Sequence, residues 1–341
     1  MKSTRDRLKA VSLACIAGGV IFLSSGAAAQ TGREQPDRLD VETLRVGPSF
    51  YMLAGAGGNI GVQIGADGVV LVDAGTEQAS GRVLAAIQKL TNQPIRYILD
   101  TSADADLVGG NGSLAKAGRS IYATSPEPLG GEFGRDFTNN YAATILAPQS
   151  LLLQVSAPTG KVSSLPNGSW PTETFGEKRK FIYFNHEGIE IFRQPAAHSD
   201  ADSIVFFRGS DVIVTGDIVD ATRFPVIELE QGGSIDGEIA ALNHIVELSV
   251  RPIPFVYEEG GTYIIPGHGR IYQQADVVEY RDMIVIVRDI IEYMIKKGMT
   301  LEQIEAASPA KPYERQYGSS SGPWTTNDFV EAVYKSLTKK R

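Results

Sequence analysis

Cysteine is all but absent: among 341 residues there is one, Cys15. A chain with a single cysteine closes no disulfide on itself and builds no thiolate metal cluster. If the first residues are removed, a cysteine nucleophile is excluded too. Histidine is almost as scarce, with His186, His198, His244 and His268 the full set, so an imidazole site has few ways to be assembled. Basic charge is in deficit, at 32 Lys and Arg against 40 Asp and Glu, a formal net charge of −8. That balance gives no electrostatic case for nucleic acid or anionic lipid as a partner. Long apolar runs are missing apart from one at the start.

That run is read as an address. Lys2, Arg5, Arg7 and Lys9 precede apolar Ala10 to Leu23, and Ala27-Ala28-Ala29 supplies a small-residue cleavage site before Gln30. The pattern is that of a secretory signal peptide over 1–29, too short for a membrane anchor, and it predicts a periplasmic or secreted product. Cys15, with Ser12 three places before it, sits in a poor context for lipid attachment. Cleavage removes four basic and one acidic residue, leaving 28 against 39, or −11. Residues 30–40 are polar and read as a loose leader. Residues 41–341 are long enough for one large α/β domain.

Four strand-like runs follow, Val41–Val46, Phe50–Leu53, Ile60–Ile64 and Val69–Val72, divided by Gly, Asn and Asp turns. The glycines from Gly55 to Gly61 do not make a dinucleotide fingerprint. Ile60 falls where the third glycine belongs, and a strand follows where a helix is needed. Gln78–Thr91 has the apolar spacing of an amphipathic helix. Ser120–Thr124 reads as another short strand. Residues 125–178 lose clean periodicity and read as an irregular insertion, with Phe133, Phe137, Tyr141 and Trp170 as candidates for a substrate pocket. Two hairpins follow, one turning at Asn185-His186-Glu187 and one across Gly209-Ser210. Helices are expected at Asp236–Val250 and through the C-terminal part, 271–341. His186 falls at a turn tip and reads as solvated, while His244 falls on a helix and reads as structural.

The stretch Asp100 to Asn111, Asp-Thr-Ser-Ala-Asp-Ala-Asp-Leu-Val-Gly-Gly-Asn, connects the run Ile95–Leu99 to a short helix. Ser102, Asp104 and Asp106 therefore lie on a loop at the carboxyl end of a strand, where alternate side chains can converge. Three more positions share this setting. His198 follows Ile189–Arg193, Asp217 follows Val212–Val214, and His268 follows Tyr263–Ile265. In open α/β architectures the loops at strand carboxyl ends gather on one edge, where ligands bind. Imidazole and carboxylate brought from separate strand ends are the makings of a metal site.

Taken in order, Val70-Leu-Val-Asp73-Ala-Gly75, the Asp100–Asn111 loop, His198-Ser-Asp-Ala-Asp202, Thr215-Gly-Asp217 and Pro266-Gly-His268-Gly resemble the metallo-β-lactamase superfamily of metal-dependent hydrolases. The resemblance implies an αββα sandwich, two mixed sheets between helical layers. It also implies one or two divalent metals, zinc by the family's habit, with a small molecule as substrate. The family's His-x-His-x-Asp-His loop falls here on Ser102, Asp104, Asp106 and Leu107, so three of the four donors are changed. By the same correspondence one metal position keeps His198 and Asp217, with Asp104 as a carboxylate substitute. The second keeps Asp106, Asp217 and His268, and Leu107 offers only packing where the fourth ligand would stand. Asp217 is the residue shared by both.

Two functional readings follow. In one, an exported hydrolase uses a carboxylate-rich site, harder than the usual histidine set and open to manganese, iron or magnesium. Water activated there attacks an ester, lactone, lactam or similar bond, with Asp106 orienting or deprotonating it. In the other, the chemistry is lost and the pocket binds a ligand or partner.

Overall fold

The computed structural model describes residues 40–121, 141–156, 162–253 and 260–339. The first sheet holds β1 (Glu42–Arg45), β2 (Phe50–Ala56), β3 (Gly58–Gly65), β4 (Gly68–Val72), β5 (Ile95–Leu99), β6 (Thr144–Pro148) and β7 (Glu173–Phe175), in that order. Its strands are antiparallel from β1 to β4 and parallel from β4 to β7. The second sheet holds β8 (Arg179–Phe184), β9 (Glu187–Arg193), β10 (Ser203–Phe207), β11 (Val212–Val214) and β12 (Tyr263–Ile265). Here β8 to β11 are antiparallel and β11 pairs with β12 in parallel. Consequently β9, β11 and β12 deliver their carboxyl ends to one edge.

The helices are α1 (Ser80–Leu90), α2 (Ala105–Val108), α3 (Asn111–Ala117), α4 (Gln149–Val155), α5 (Ile235–Leu248), α6 (Gln274–Lys296), α7 (Leu301–Ala307), α8 (Glu314–Tyr317) and α9 (Thr326–Lys339). None in the described residues is long and apolar enough to cross a membrane.

Period-two geometry divides the apolar residues between layers. Val70, Val72, Tyr97 and Leu99 of the first sheet meet Val205, Phe207, Val212 and Val214 of the second in a central core. The alternate residues face outward. Val69, Leu71 and Ile98 pack under α1 and α3, while Ile204, Ile213 and Ile264 pack under α5, α6 and α9. Because both faces of each sheet are covered, the central strands read as continuous apolar runs. The result is the expected αββα sandwich.

The chain departs from expectation in several places. The stretch 125–178 is not irregular throughout, since its described part contains β6, α4 and β7. Thr-Ile-Leu-Ala-Pro of β6 is buried at every position, and so short a run shows no alternation. Ser120 and Ile121 are not in a strand, and residues 122–124 lie outside the described residues. So do the signal-peptide pattern of 1–29, residues 30–39 of the leader, and Phe133 and Phe137. Glu187 belongs to β9, so the hairpin turns on Asn185 and His186 alone, both with positive φ (49° and 64°). That is the backbone a two-residue turn demands.

Candidate metal centre

The site loop is anchored from beneath. Asp73, which closes β4 in a left-handed conformation (φ 64°), accepts from Thr101 N at 2.9 Å and Thr101 Oγ1 at 2.7 Å. Burial pushes its carboxyl up to about 8, against those two hydrogen bonds. Asp100, pushed up by burial and then by Asp73, accepts from Asn111 Nδ2 at 3.0 and 3.1 Å. The second sheet is fastened to the same loop: Ser203 N donates to Thr101 O and Ser203 Oγ to Asp100 O. These contacts bring the His198 turn alongside Asp104.

Glycine permits the close approach. A Cβ on Gly58 would lie 2.1 Å from Leu107 Cδ2, and one on Gly57 would lie 2.7 Å from Asp106 O. The glycine-rich turn between β2 and β3 is therefore the seat on which the site loop rests. Asn59 extends this seat to the other sheet. Its Nδ2 donates to Pro266 O and Gly269 O, each at 2.9 Å, and its N donates to Gly267 O. The carbonyls on either side of His268 are thus held from the first sheet.

The five expected ligands lie in two groups, His198 with Asp104 and His268 with Asp106 and Asp217. His198 Nδ1 lies 2.9 Å from Val226 O, a backbone acceptor that places a proton on Nδ1 and turns Nε2 toward the carboxylates. That Nε2 is 3.5 Å from Asp104 Oδ2 and 4.0 Å from Glu228 Oε2. His268 Nε2 is 3.2 Å from Asp106 Oδ2 and 3.6 Å from Asp217 Oδ1. Among the described residues, His198 Nε2, His268 Nε2 and Asp217 Oδ2 are buried without a hydrogen-bond partner. Three donor atoms of ligand type left in this state are costly in a folded chain unless something binds them.

The charges fit the same account. Burial pushes Asp217 up to about 6, with His198 pulling it down and Asp104 pushing it up. His268 holds Asp106 below the usual carboxylate range in spite of burial. Burial works to lower both imidazoles, but the surrounding carboxylates override it and raise them. A divalent cation would relieve the crowded carboxylates as those protons now do. Asp104, His198 and Glu228 bring nitrogen and carboxylate donors close enough together to hold a metal ion, so the residues present there fit one.

The altered positions are accounted for differently. Ser102 is fully buried, and its Oγ accepts from Asp104 N at 3.3 Å, so it shapes the loop. Leu107 is fully buried in a cluster with Val108, Ala147, Leu151 and Ala201. Trp170 packs against that cluster and donates from Nε1 to Leu165 O at 3.0 Å, bracing the body of the protein. Tyr141 precedes β6 and so lies by its amino end, whereas the site loop leaves the carboxyl end of the parallel neighbour β5. The structure does not bring Tyr141 to the site. His186 is exposed, and His244 pairs through Nδ1 with Gln194 Nε2 at 2.8 Å.

Sequence reasoning missed Glu228. Asp104, His198 and Glu228 each offer a ligand atom within 4.8 Å of the others. No strand precedes Glu228, so the strand-end pattern that located its partners had no purchase on it. Arg223 was missed for the same reason. Asp220 holds its Nε at 2.5 Å, and its charge is felt by Asp217 and Asp106.

Comparison with known proteins agrees with this architecture. A family model described as "Metallo-beta-lactamase superfamily" matches residues 54–255. No curated protein matches the chain. Among solved structures, a double mutant of the sec-alkyl sulfatase PisA1 is similar at a TM-score of 0.59 and 14% identity, over 87% of this chain and 50% of that one. The stereoselective inverting sec-alkylsulfatase Pisa1 from Pseudomonas sp. gives 0.57 and 14%, over 86% and 50%. The chain therefore spans about half the length of these sulfatases. The DIM-1 metallo-beta-lactamase gives 0.48 and 14%, over 72% and 97%.

Proposed function

The chain belongs to the metallo-β-lactamase superfamily, and from that premise we propose that it is an exported metal-dependent hydrolase with a carboxylate-rich site. The observation that carries this reading is the pairing of His198 with Asp104 and of His268 with Asp106 and Asp217, with His198 Nε2, His268 Nε2 and Asp217 Oδ2 buried and making no hydrogen bond among the described residues. Asp104 and His198 would hold one cation, Asp106 and His268 a second, with Asp217 between them. A divalent cation there lowers the pKa of water and stabilises negative charge developing on oxygen.

The protein's own groups do the rest. Val226 O fixes the tautomer and direction of the His198 ring. Asp106, kept ionised by His268, accepts a hydrogen bond from the attacking water and orients it. Arg223, anchored on Asp220, adds a fixed positive charge near Asp106 and Asp217 for an anionic group on the substrate or transition state. Esters, sulfate esters, lactones and lactams all fit this chemistry, and the fold does not choose among them.

The signal-peptide pattern of 1–29 supports a periplasmic or secreted location, for which mass spectrometry of the exported protein should find Gln30 at or near the start. The activity is tested with chelator-stripped protein, assayed against a chromogenic lactam, a carboxylic ester and a secondary alkyl sulfate before and after adding zinc or manganese. Hydrolysis of at least one substrate that appears only with metal supports the hydrolase. A second reading, a ligand-binding member without turnover, is favoured by the apolar side chain of Leu107 at a family ligand position. Metal binding with no hydrolysis of any substrate would select it.

A further inference from the structure

Glu228 lies in the connection from β11 to α5, outside the motifs that carry the family's ligands, and its surroundings hold it at the site. Its backbone N donates to His198 O at 2.8 Å, and its own carbonyl accepts from Gln231 N and Gly233 N. Two residues earlier Val226 O meets His198 Nδ1, so this segment grips His198 through both its backbone and its ring. Asp200 N donates to Gln231 O, and Ser234 N to Ala196 O and Ala197 O, tying the following turn to the same loop. The segment is thus built onto the histidine turn.

What the Glu228 side chain faces is specific. The His198 side chain is only 2% exposed, and its Nε2 is buried with no hydrogen-bond partner among the described residues. That atom points between Asp104 Oδ2 at 3.5 Å and Glu228 Oε2 at 4.0 Å. Two carboxylates converging on one buried imidazole nitrogen repel each other unless positive charge lies among them, which a bound divalent cation would supply. Ser102, at the position where the family's loop carries a histidine, turns its hydroxyl to Asp104 N and offers no donor of comparable strength.

Resting on the metal-dependent reading above, we propose that Glu228 is a protein ligand of the first metal position, supplying the donor that Ser102 does not, and that it turns this position toward a hard divalent cation such as manganese. The first position then presents one imidazole with the carboxylates of Asp104, Glu228 and Asp217. Oxygen-rich sets of this kind suit manganese and magnesium, while histidine-rich sets suit zinc.

The test uses the mature protein, stripped with chelator and titrated with manganese chloride alone. Free manganese is followed by its electron paramagnetic resonance signal, with wild type compared against Glu228→Gln and Glu228→Asp. Glu228→Gln keeps the shape of the side chain and removes its charge. It should bind its first-position manganese at least about tenfold more weakly, while the melting temperature of the metal-free protein stays unchanged. Glu228→Asp, which keeps the charge on a shorter arm, should fall between the two and guards against a folding artefact in the glutamine variant. A parallel zinc titration should show a smaller loss. Wild type and Glu228→Gln binding manganese with equal stoichiometry and affinity would overturn the assignment of Glu228 and leave the hydrolase reading standing. A wild type that binds neither metal would overturn both.

Discussion

At the residue scale the site is a problem of charge and of donor atoms. Asp104, His198, Asp217 and His268 stand out in the sequence because each comes after a strand in a segment rich in small residues, and Asp106 follows on the first turn of α2. Leu107 shows what a sequence leaves open. Its position in the loop corresponds to a ligand, yet its environment is a closed apolar cluster seated on Gly58. Its contribution is therefore stability. Leu107→Ala is expected to destabilise the protein by about 2–5 kcal/mol, read by denaturant unfolding, without reducing metal content. Loss of metal with little loss of stability would show that the side chain matters to the site in some other way. Glu228 was illegible for the opposite reason: its role comes from a loop folded back onto His198, and no local pattern encodes that fold.

Elements explain how those residues meet. Strands β4, β5, β9, β11 and β12 point their carboxyl ends at the site, and in the sequence the β-branched runs of β4 and β5 lead straight into Asp73 and Asp100. The strand β6 went unrecognised because five residues buried on both faces carry no periodic signal. The glycines around Gly58 were legible only as a failed nucleotide motif. Their use, close approach by the site loop, depends on a contact some fifty residues away. Asn59 belongs to the same hairpin and links the two sheets beneath His268. Asn59→Ala leaves the carbonyls of Pro266 and Gly269 without their donor, at a cost of about 1–3 kcal/mol. We expect a lower melting temperature together with weaker metal binding at the His268 position, measured by calorimetric titration. Unchanged metal affinity would mean that the His268 loop holds its shape without this link.

The whole molecule carries an unusual load of buried acid, and this sets its response to pH. Asp73, Asp202 and Asp217 are pushed up to about 8, 7 and 6, burial being the largest cause for each. His198 and His268 are raised by their carboxylate neighbours, against burial. For every one of these groups the folded value lies above the unfolded one. Each contribution is complete below the unfolded value and is lost as pH rises through the folded value. The opposing carboxyls, Asp106, Asp276 and Asp328, have lowered values and titrate in acid. His244, lowered by burial, titrates below the ordinary histidine value. The metal-free protein should therefore melt at a lower temperature at pH 9 than at pH 6.5, by more than about 3 °C, and Asp73→Asn should flatten that slope. A melting temperature that climbs with pH would contradict the protonation states assigned here.

We propose that six side chains, Asp104, Asp106, His198, Asp217, Glu228 and His268, form one metal centre, with Asp217 common to both of its halves. Elemental analysis of protein equilibrated with zinc or manganese and then freed of excess metal tests this most directly. Wild type should retain at least one divalent ion per chain. Asp217→Ala should lose more of it than Asp104→Ala, and Ser102→Ala should lose least. A wild-type chain that retains no metal, or equal retention in all three variants, would contradict the account.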